Sequence, residues 1–167
     1  MAVPHFVVAT AIVIKDGKYL ITRRSLAEEK FPGMWTVPGG NLDEEDYSMI
    51  KPNADGVWYN MMEHVVQREV KEEVNLTIKN IRYLLSITYK KSKGPALCLS
   101  YFADYASGEV QISDDLDYAW VTIDEAKNYA LIAGIHEELL MVDDIVHHRP
   151  VRPWTQYEHI AKQLRPQ

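Results

Sequence analysis

Three glutamates, Glu69, Glu72 and Glu73, stand in the run Arg68-Glu69-Val70-Lys71-Glu72-Glu73-Val74-Asn75-Leu76, downstream of Trp35-Thr36-Val37-Pro38-Gly39-Gly40. On a helix, positions three and four apart share a face, so the three carboxylates gather where their charges repel. A hard cation relieves that repulsion. Carboxylate oxygens in this number suit Mg2+ or Mn2+, ions that also bind phosphate oxygens. Glycines at 39 and 40 suit any tight turn, but a backbone without Cβ also lets a metal come close. A glycine turn before an acidic helix is therefore a candidate for metal-assisted phosphate chemistry.

The same residues resemble the signature of the Nudix hydrolases, G-x5-E-x7-R-E-U-x-E-E-x-G-U, where U is bulky and aliphatic. Gly39, five residues and Glu45 fit the opening; Arg68–Leu76 fits the second half, with Val70 and Leu76 at the aliphatic places. The preceding Trp-x-x-Pro-Gly-Gly is also usual in that family. The resemblance extends from about residue 6 to about residue 145. There are two departures. Between Glu45 and Arg68 stand 22 residues instead of seven, an insertion of 15 within Asp46–Tyr59, which leaves Glu44 as an alternative to Glu45. Asn75 replaces the last glycine. Asparagine tolerates the positive φ at which helices end, so it can do the same backbone job.

The resemblance implies an α/β/α sandwich, an α+β fold with a mixed sheet between helices, and a magnesium-dependent pyrophosphohydrolase acting on a nucleoside diphosphate linked to some group X. It makes Glu69, Glu72 and Glu73 metal ligands together with Gly40, and gives Glu69 or Glu72 the task of orienting or deprotonating water. It places Gly39 beside the substrate, and an ion pair from Glu45 to Arg68 would hold the glycine loop to the helix. A further acid is expected before a late strand, where Asp114, Asp115 and Asp117 stand; Asp115 is the candidate base or extra ligand. Arg23 and Arg24 are candidates for phosphate contact at the end of an early strand. Trp58, in the insertion, would stack on a base or anchor its loop. The run S-Q-P-W-P-F-P of the NADH-cleaving subgroup is absent, and nucleoside triphosphates lead among the substrates. The competing reading is a silent, nucleotide-binding regulatory module; the three glutamates argue against it. An isomerase on the same fold would need cysteine chemistry, whereas the single Cys98 sits in the apolar run Ala96-Leu97-Cys98-Leu99.

The elements that must position these residues follow from hydrophobic patterning. Phe6–Ile14 is β-branched and ends at a hairpin signal, Asp16-Gly17, with Lys18–Arg24 as partner strand. Trp35–Val37 is a short strand leading into the glycines. Asp43–Tyr59 reads as a surface loop, a flap bordering the site. A capping box from Asn60 to Glu63 would start a helix over Met61–Val74, with Val66, Val70 and Val74 toward the core. Thr77–Lys91 and Ala96–Tyr105 form a hairpin, Glu109–Ile112 and Asp117–Thr122 shorter strands, and Asp124–Asn128 and Ile132–Ile145 helices.

The 167 residues suit one domain, residues 1–145, with residues 146–167 as a tail that docks on it or makes a homodimer contact. Composition is globular, at 47% hydrophobic. Net charge of −6 argues against a long nucleic-acid groove, but not against a nucleotide bridged to acidic protein by a cation. No targeting or membrane-spanning segment is visible, and a cytoplasmic location is the default expectation.

Overall fold

The computed structural model describes residues 3–114 and 116–151. Its centre is strand β1, Phe6–Lys15, whose β-branched run fits a pleated, buried surface. Asp16 and Gly17 both take positive φ and turn the chain into β2, Lys18–Arg23. β1 pairs antiparallel with β2 and with β4, Gly39–Asn41, and parallel with β6, Gly94–Ser107. The seven-stranded sheet runs β3-β2-β1-β6-β5, where β3 is Trp35–Thr36 and β5 is Thr77–Lys91; β7, Tyr118–Val121, pairs with β2. One parallel pair among antiparallel ones makes the sheet mixed, as expected.

Alternation along β1 divides two cores. Ala9, Ala11 and Val13 face helix α2, Met61–Val74, and pack with its Val65, Val66, Val70 and Val74. Ile12 faces the other way with Tyr19, Ile21 and Phe102, under Leu139 and Val142 of helix α4, Ile135–Val146. The expected sandwich is thus built around one strand.

Helix α2 has the expected bounds but not the expected cap. Asn60 sits in left-handed geometry, φ 58°, and its side chain makes no capping hydrogen bond; a side chain reaching N3 needs an extended N-cap backbone. At the other end Asn75 takes φ 58°, and its N–H donates to the Lys71 carbonyl at 3.0 Å. Asparagine does the glycine's job there. The capping box in this chain belongs to Thr122 and Glu125, at the start of the short helix α3, Ile123–Ala126.

Four further expectations are corrected. The insertion holds a helical turn, α1, Glu45–Ser48. Glu109–Ile112 is not a strand: no neighbour pairs with it, and the Gln111 N–H donates instead to the Val74 carbonyl, tying the segment to the end of α2. α4 starts after Gly134, not at Ile132, because the Ile132 N–H donates to the Trp35 carbonyl and extends the β3 edge. β6 begins at Gly94, two residues earlier than expected. No helix among the described residues is long and apolar enough to cross a membrane. Residues 152–167, the greater part of the expected tail, lie outside the described residues.

Candidate active site

β4 lies on β1 with Gly39 opposite Thr10 and Gly40 opposite Ala9, and α2 crosses above it. Both glycines are required by contact. A Cβ on Gly39 would strike the Ala9 carbonyl and Thr10, and a Cβ on Gly40 would fall inside the carboxyl group of Glu69. The missing side chain leaves a cradle that the Glu69 carboxylate fills. One turn further along α2, Glu73 accepts a hydrogen bond from the Gly39 N–H at 3.1 Å. Two of the three glutamates are therefore seated directly on the glycine turn.

Arg68 organises the rest. Its guanidinium donates to Glu69 at 2.9 Å and to Glu72 at 2.9 Å, and its Nη2 to the Asn41 carbonyl at 2.9 Å. Its main partner is Asp46, with Nε–Oδ1 at 2.5 Å and Nη2–Oδ2 at 3.0 Å. The pair expected from Glu45 is thus made one residue later. Glu45 is exposed, whereas Asp46 is 5% exposed and also accepts the Asp43 N–H at 2.8 Å. This fork links β4, α1 and α2 at one point.

The electrostatics follow. Burial pushes Asp46 up, but the Arg68 and Asp43 hydrogen bonds and the Arg68 charge outweigh it and hold its pKa below the usual value. Burial raises Glu69, with Arg68 pulling against it. Glu73 is raised to about 7 by the protein crowding its carboxyl and then by Glu69, while the Gly39 N–H and the Arg24 charge oppose the shift. Solvent still reaches Glu73 from one side, which tempers this shift.

Among the described residues, no three His, Cys, Asp or Glu side chains converge into a metal cluster. Glu69 and Glu73 stand on the glycine turn, while Glu72 is held away from it by Arg68, which it shares with Glu69. A divalent cation still fits this donor set. Glu69 and Glu73 offer carboxylate oxygens beside a backbone that carries no Cβ; waters and phosphate oxygens complete shells of this kind.

Of the two arginines, Arg24 is brought within electrostatic reach of Glu73, its own guanidinium bound to Glu28 and the Lys30 carbonyl. Arg23 is tied to Asp117 and the Gly33 carbonyl. Trp58 donates to the Ile50 carbonyl and packs on Tyr47 at 5.4 Å, contacts made within the insertion. His64, on the exposed side of α2, lines a cleft of about 240 Å³ with Asp43, Glu45, Asp46, Arg68 and Glu72. Asp115 lies outside the described residues.

Sequence reasoning missed two acids. Asp46 follows Gly40 by the same five-residue gap that separates Gly39 from Glu45, so the spacing held its signal in a neighbouring register. Glu138, 2% exposed on α4, accepts a hydrogen bond from the Ser100 hydroxyl at 2.5 Å. It stands three residues after Ile135 and four before Val142, on the face already marked as apolar.

The result is a layered mixed-sheet domain with two glutamates of one helix seated on a glycine turn. The NUDIX domain family model matches residues 4–141, and the chain belongs to that family. It is 25% identical over 139 residues to the NAD-capped RNA hydrolase NudC of Chromobacterium violaceum, covering 82% of this chain and 46% of that one. Against NudC of Vibrio atlanticus it is 29% identical over 117 residues, 68% of this chain and 38% of the other. The chain spans less than half the length of these curated relatives. In fold it resembles the MutT NUDIX hydrolase from Burkholderia pseudomallei, with TM-score 0.63 at 23% identity over 81% of this chain and 96% of that one. It also resembles the NUDIX domain of Shewanella oneidensis NrtR complexed with ADP ribose, with TM-score 0.65 at 18% identity, over 86% and 89% of the two chains.

Proposed function

We propose that the protein is a magnesium-dependent pyrophosphohydrolase that cleaves a phosphoanhydride in a nucleoside diphosphate linked to X. The observation that carries this reading is the seating of Glu69 and Glu73 on Gly40 and Gly39. A divalent cation, Mg2+ or Mn2+, held by Glu69, Glu73, Glu72 and the Gly40 carbonyl would neutralise phosphate charge and acidify the attacking water. Phosphoryl transfer asks the protein mainly for positioning and charge compensation. Arg68 fixes the Glu69 carboxylate in its cradle, the Gly39 N–H fixes Glu73, and Arg24 is the cation offered to phosphate. Water adds to one phosphorus, the bridging P–O bond breaks, and both products leave as phosphate monoesters or as a monoester and pyrophosphate. The proton released by water passes to solvent through a carboxylate: Glu69, Glu72 or Asp115.

Nucleoside triphosphates lead from the sequence. The likeness to NAD-capped RNA hydrolases supports a second class, in which X is itself a nucleotide, and the missing S-Q-P-W-P-F-P run weighs against NADH. A panel of triphosphates, nucleotide sugars, ADP-ribose and dinucleotides, run with and without Mg2+ and with products identified by mass, tests the proposal. Metal-dependent release of a nucleoside monophosphate is expected. No product from any substrate favours the silent regulatory module instead.

A further inference from the structure

The chain is acidic as a whole, but its positive charge is not evenly spread. Strand β5 ends in Lys90 and Lys91, the β5–β6 hairpin turns through Ser92 and Lys93, and Lys30 from the loop after β2 reaches it, donating from Nζ to the Lys90 carbonyl at 2.5 Å. Among the described residues, none of these four lysines is paired with a carboxylate. Glu28 and Glu29 on the facing loop offset part of the charge, Glu28 held by Arg24 and Glu29 accepting from Ser92 at 3.5 Å. Counting Arg24, five cations stand at this end of the molecule against Glu28, Glu29 and, within reach of Arg24, Glu73.

Aromatic rings interleave with that charge. Phe6 of β1 and Tyr89 of β5 both pair with Ala96 of β6, so they stand in one row on one face of the sheet. They are 39% and 40% exposed, a surface that two large rings give up to water only at a cost. The Lys91 Nζ lies 5.3 Å from the Phe6 ring centre and 6.0 Å from that of Tyr89. From there it donates to the Asn41 side chain at 3.0 Å, and Asn41 directly follows Gly40. A cationic, ring-bearing track therefore runs from the hairpin tip to the edge of the glycine turn.

Rings offered to bases and ammonium groups offered to phosphates are how proteins hold single-stranded nucleic acid without reading sequence. We propose that this hairpin end binds a short single-stranded nucleic-acid tail carried by the substrate, the nucleotides next to the cleaved anhydride lying along Phe6, Lys91 and Tyr89. This rests on the reading of Gly39-Gly40 with Glu69 and Glu73 as the hydrolytic site. It is compatible with the overall negative charge because the track is short, with room for a few phosphates and not for a duplex.

The test is direct binding in the absence of metal, so that turnover plays no part. A 5′-phosphorylated oligouridylate of about eight nucleotides, labelled at its 3′ end, is titrated with the full chain by fluorescence anisotropy over a series of KCl concentrations, with uridine monophosphate as competitor. Expected is binding well above that of the mononucleotide, with affinity falling as salt rises by a log–log slope of about −0.7 for each phosphate contacted. Lys91→Gln with Lys93→Gln lowers both the affinity and that slope. Tyr89→Ala weakens binding about tenfold, the loss of one stacked base, with the slope kept. Lys79→Gln, an exposed lysine near the opposite end of β5, changes neither. The proposal is overturned if the oligomer binds no better than the mononucleotide, if the double lysine variant binds like the parent, or if polyglutamate competes as well as the oligomer does. Because hydrolysis is not read, an inactive nucleotide panel would fail the hydrolytic reading and leave this result standing, and the reverse holds equally.

Discussion

Both faces of the sheet bury acids, and Asp46 on one and Glu138 on the other are treated in opposite ways. On the α2 face, Asp46 and Glu69 share Arg68, which donates to both and to Glu72 as well. On the α4 face, Glu138 accepts from the Ser100 hydroxyl and, among the described residues, has no cation partner; burial, then the charge of Glu137, raise it to about 7 against the pull of that hydrogen bond. A buried carboxylate beside an arginine is pulled toward its charged form, which wins at Asp46 although burial still raises Glu69. One beside a serine is most comfortable as a neutral acid and serves packing. Burial alone therefore does not mark a reactive acid; the partner decides.

Removing charge where the comparison assigns function gives the largest effect. Glu73→Gln keeps the size of the side chain and its acceptor for the Gly39 N–H. Turnover is expected to fall by several orders of magnitude while the thermal melt stays within a few degrees. Measuring both on one preparation decides the matter, since near-normal turnover would remove Glu73 from the chemistry.

Taking the arginine away should make the α2 face fail as a structure. Arg68→Met leaves Asp46, 1% exposed at its side chain, as an uncompensated buried charge. Breaking a buried pair in this way costs about 3–5 kcal/mol, and activity falls with it as Glu69 loses its clamp. Denaturant unfolding at neutral pH reads the stability. A loss below about 1 kcal/mol, the range of exposed pairs, would show that the fork is ornamental.

That fork also shows what the sequence could and could not convey. Helix α2, its bounds and the left-handed Asn75 were legible because valine periodicity and a required φ leave few alternatives. Asp46 was not, because Asp43-Glu44-Glu45-Asp46 offers four acids in a row and only the turn of α1 decides which one points inward. The strand expected at Glu109–Ile112 failed for a related reason. Alternation records a half-buried segment, and here Val110 and Ile112 pack beside the α2 core without a partner strand. The role of Arg24 near Glu73, as opposed to Arg23, depends on strand parity and on the path of the following loop, which the motif does not encode.

On the α4 face the prediction is one of pH. The Glu138 carboxyl has a folded pKa of about 7 against an ordinary 4.5, so the native state holds its proton more tightly than the unfolded state. Stability from this group is intact below pH 4.5, declines as pH rises from there to about 7, and the full cost of the buried charge is present above 7. Glu138→Gln, which keeps a polar partner for Ser100, should match the parent near pH 5 and exceed it near pH 8 by up to about 3 kcal/mol. Urea midpoints across that range test it; a difference independent of pH would mean the acid is charged throughout.

The smallest effect on stability is expected from the insertion, where the change falls on substrate choice. Its contacts are largely its own: Tyr47 against Trp58, Trp58 to the Ile50 carbonyl, the Tyr59 N–H to the Asn53 side chain, and a turn at Asp55-Gly56. Met49, Ile50, Val57 and Tyr59 are exposed on it. Yet it leaves the chain at Asp46 and returns at Asn60, both ends joined to elements that carry the site. Asp46 must therefore be kept, and residues 48–58 replaced by a short glycine-serine turn. Changing loop length twofold alters closure entropy by only about 0.6 kcal/mol, so the melt should scarcely move. If the segment is a flap over the cleft beside Arg68 and Glu72, the KM and the ranking of substrates in the nucleotide panel both shift while the glutamate chemistry persists. If KM and ranking stay as they were in a folded, trimmed protein, the insertion is a spacer, and substrate choice must be sought on the sheet face and its hairpin instead.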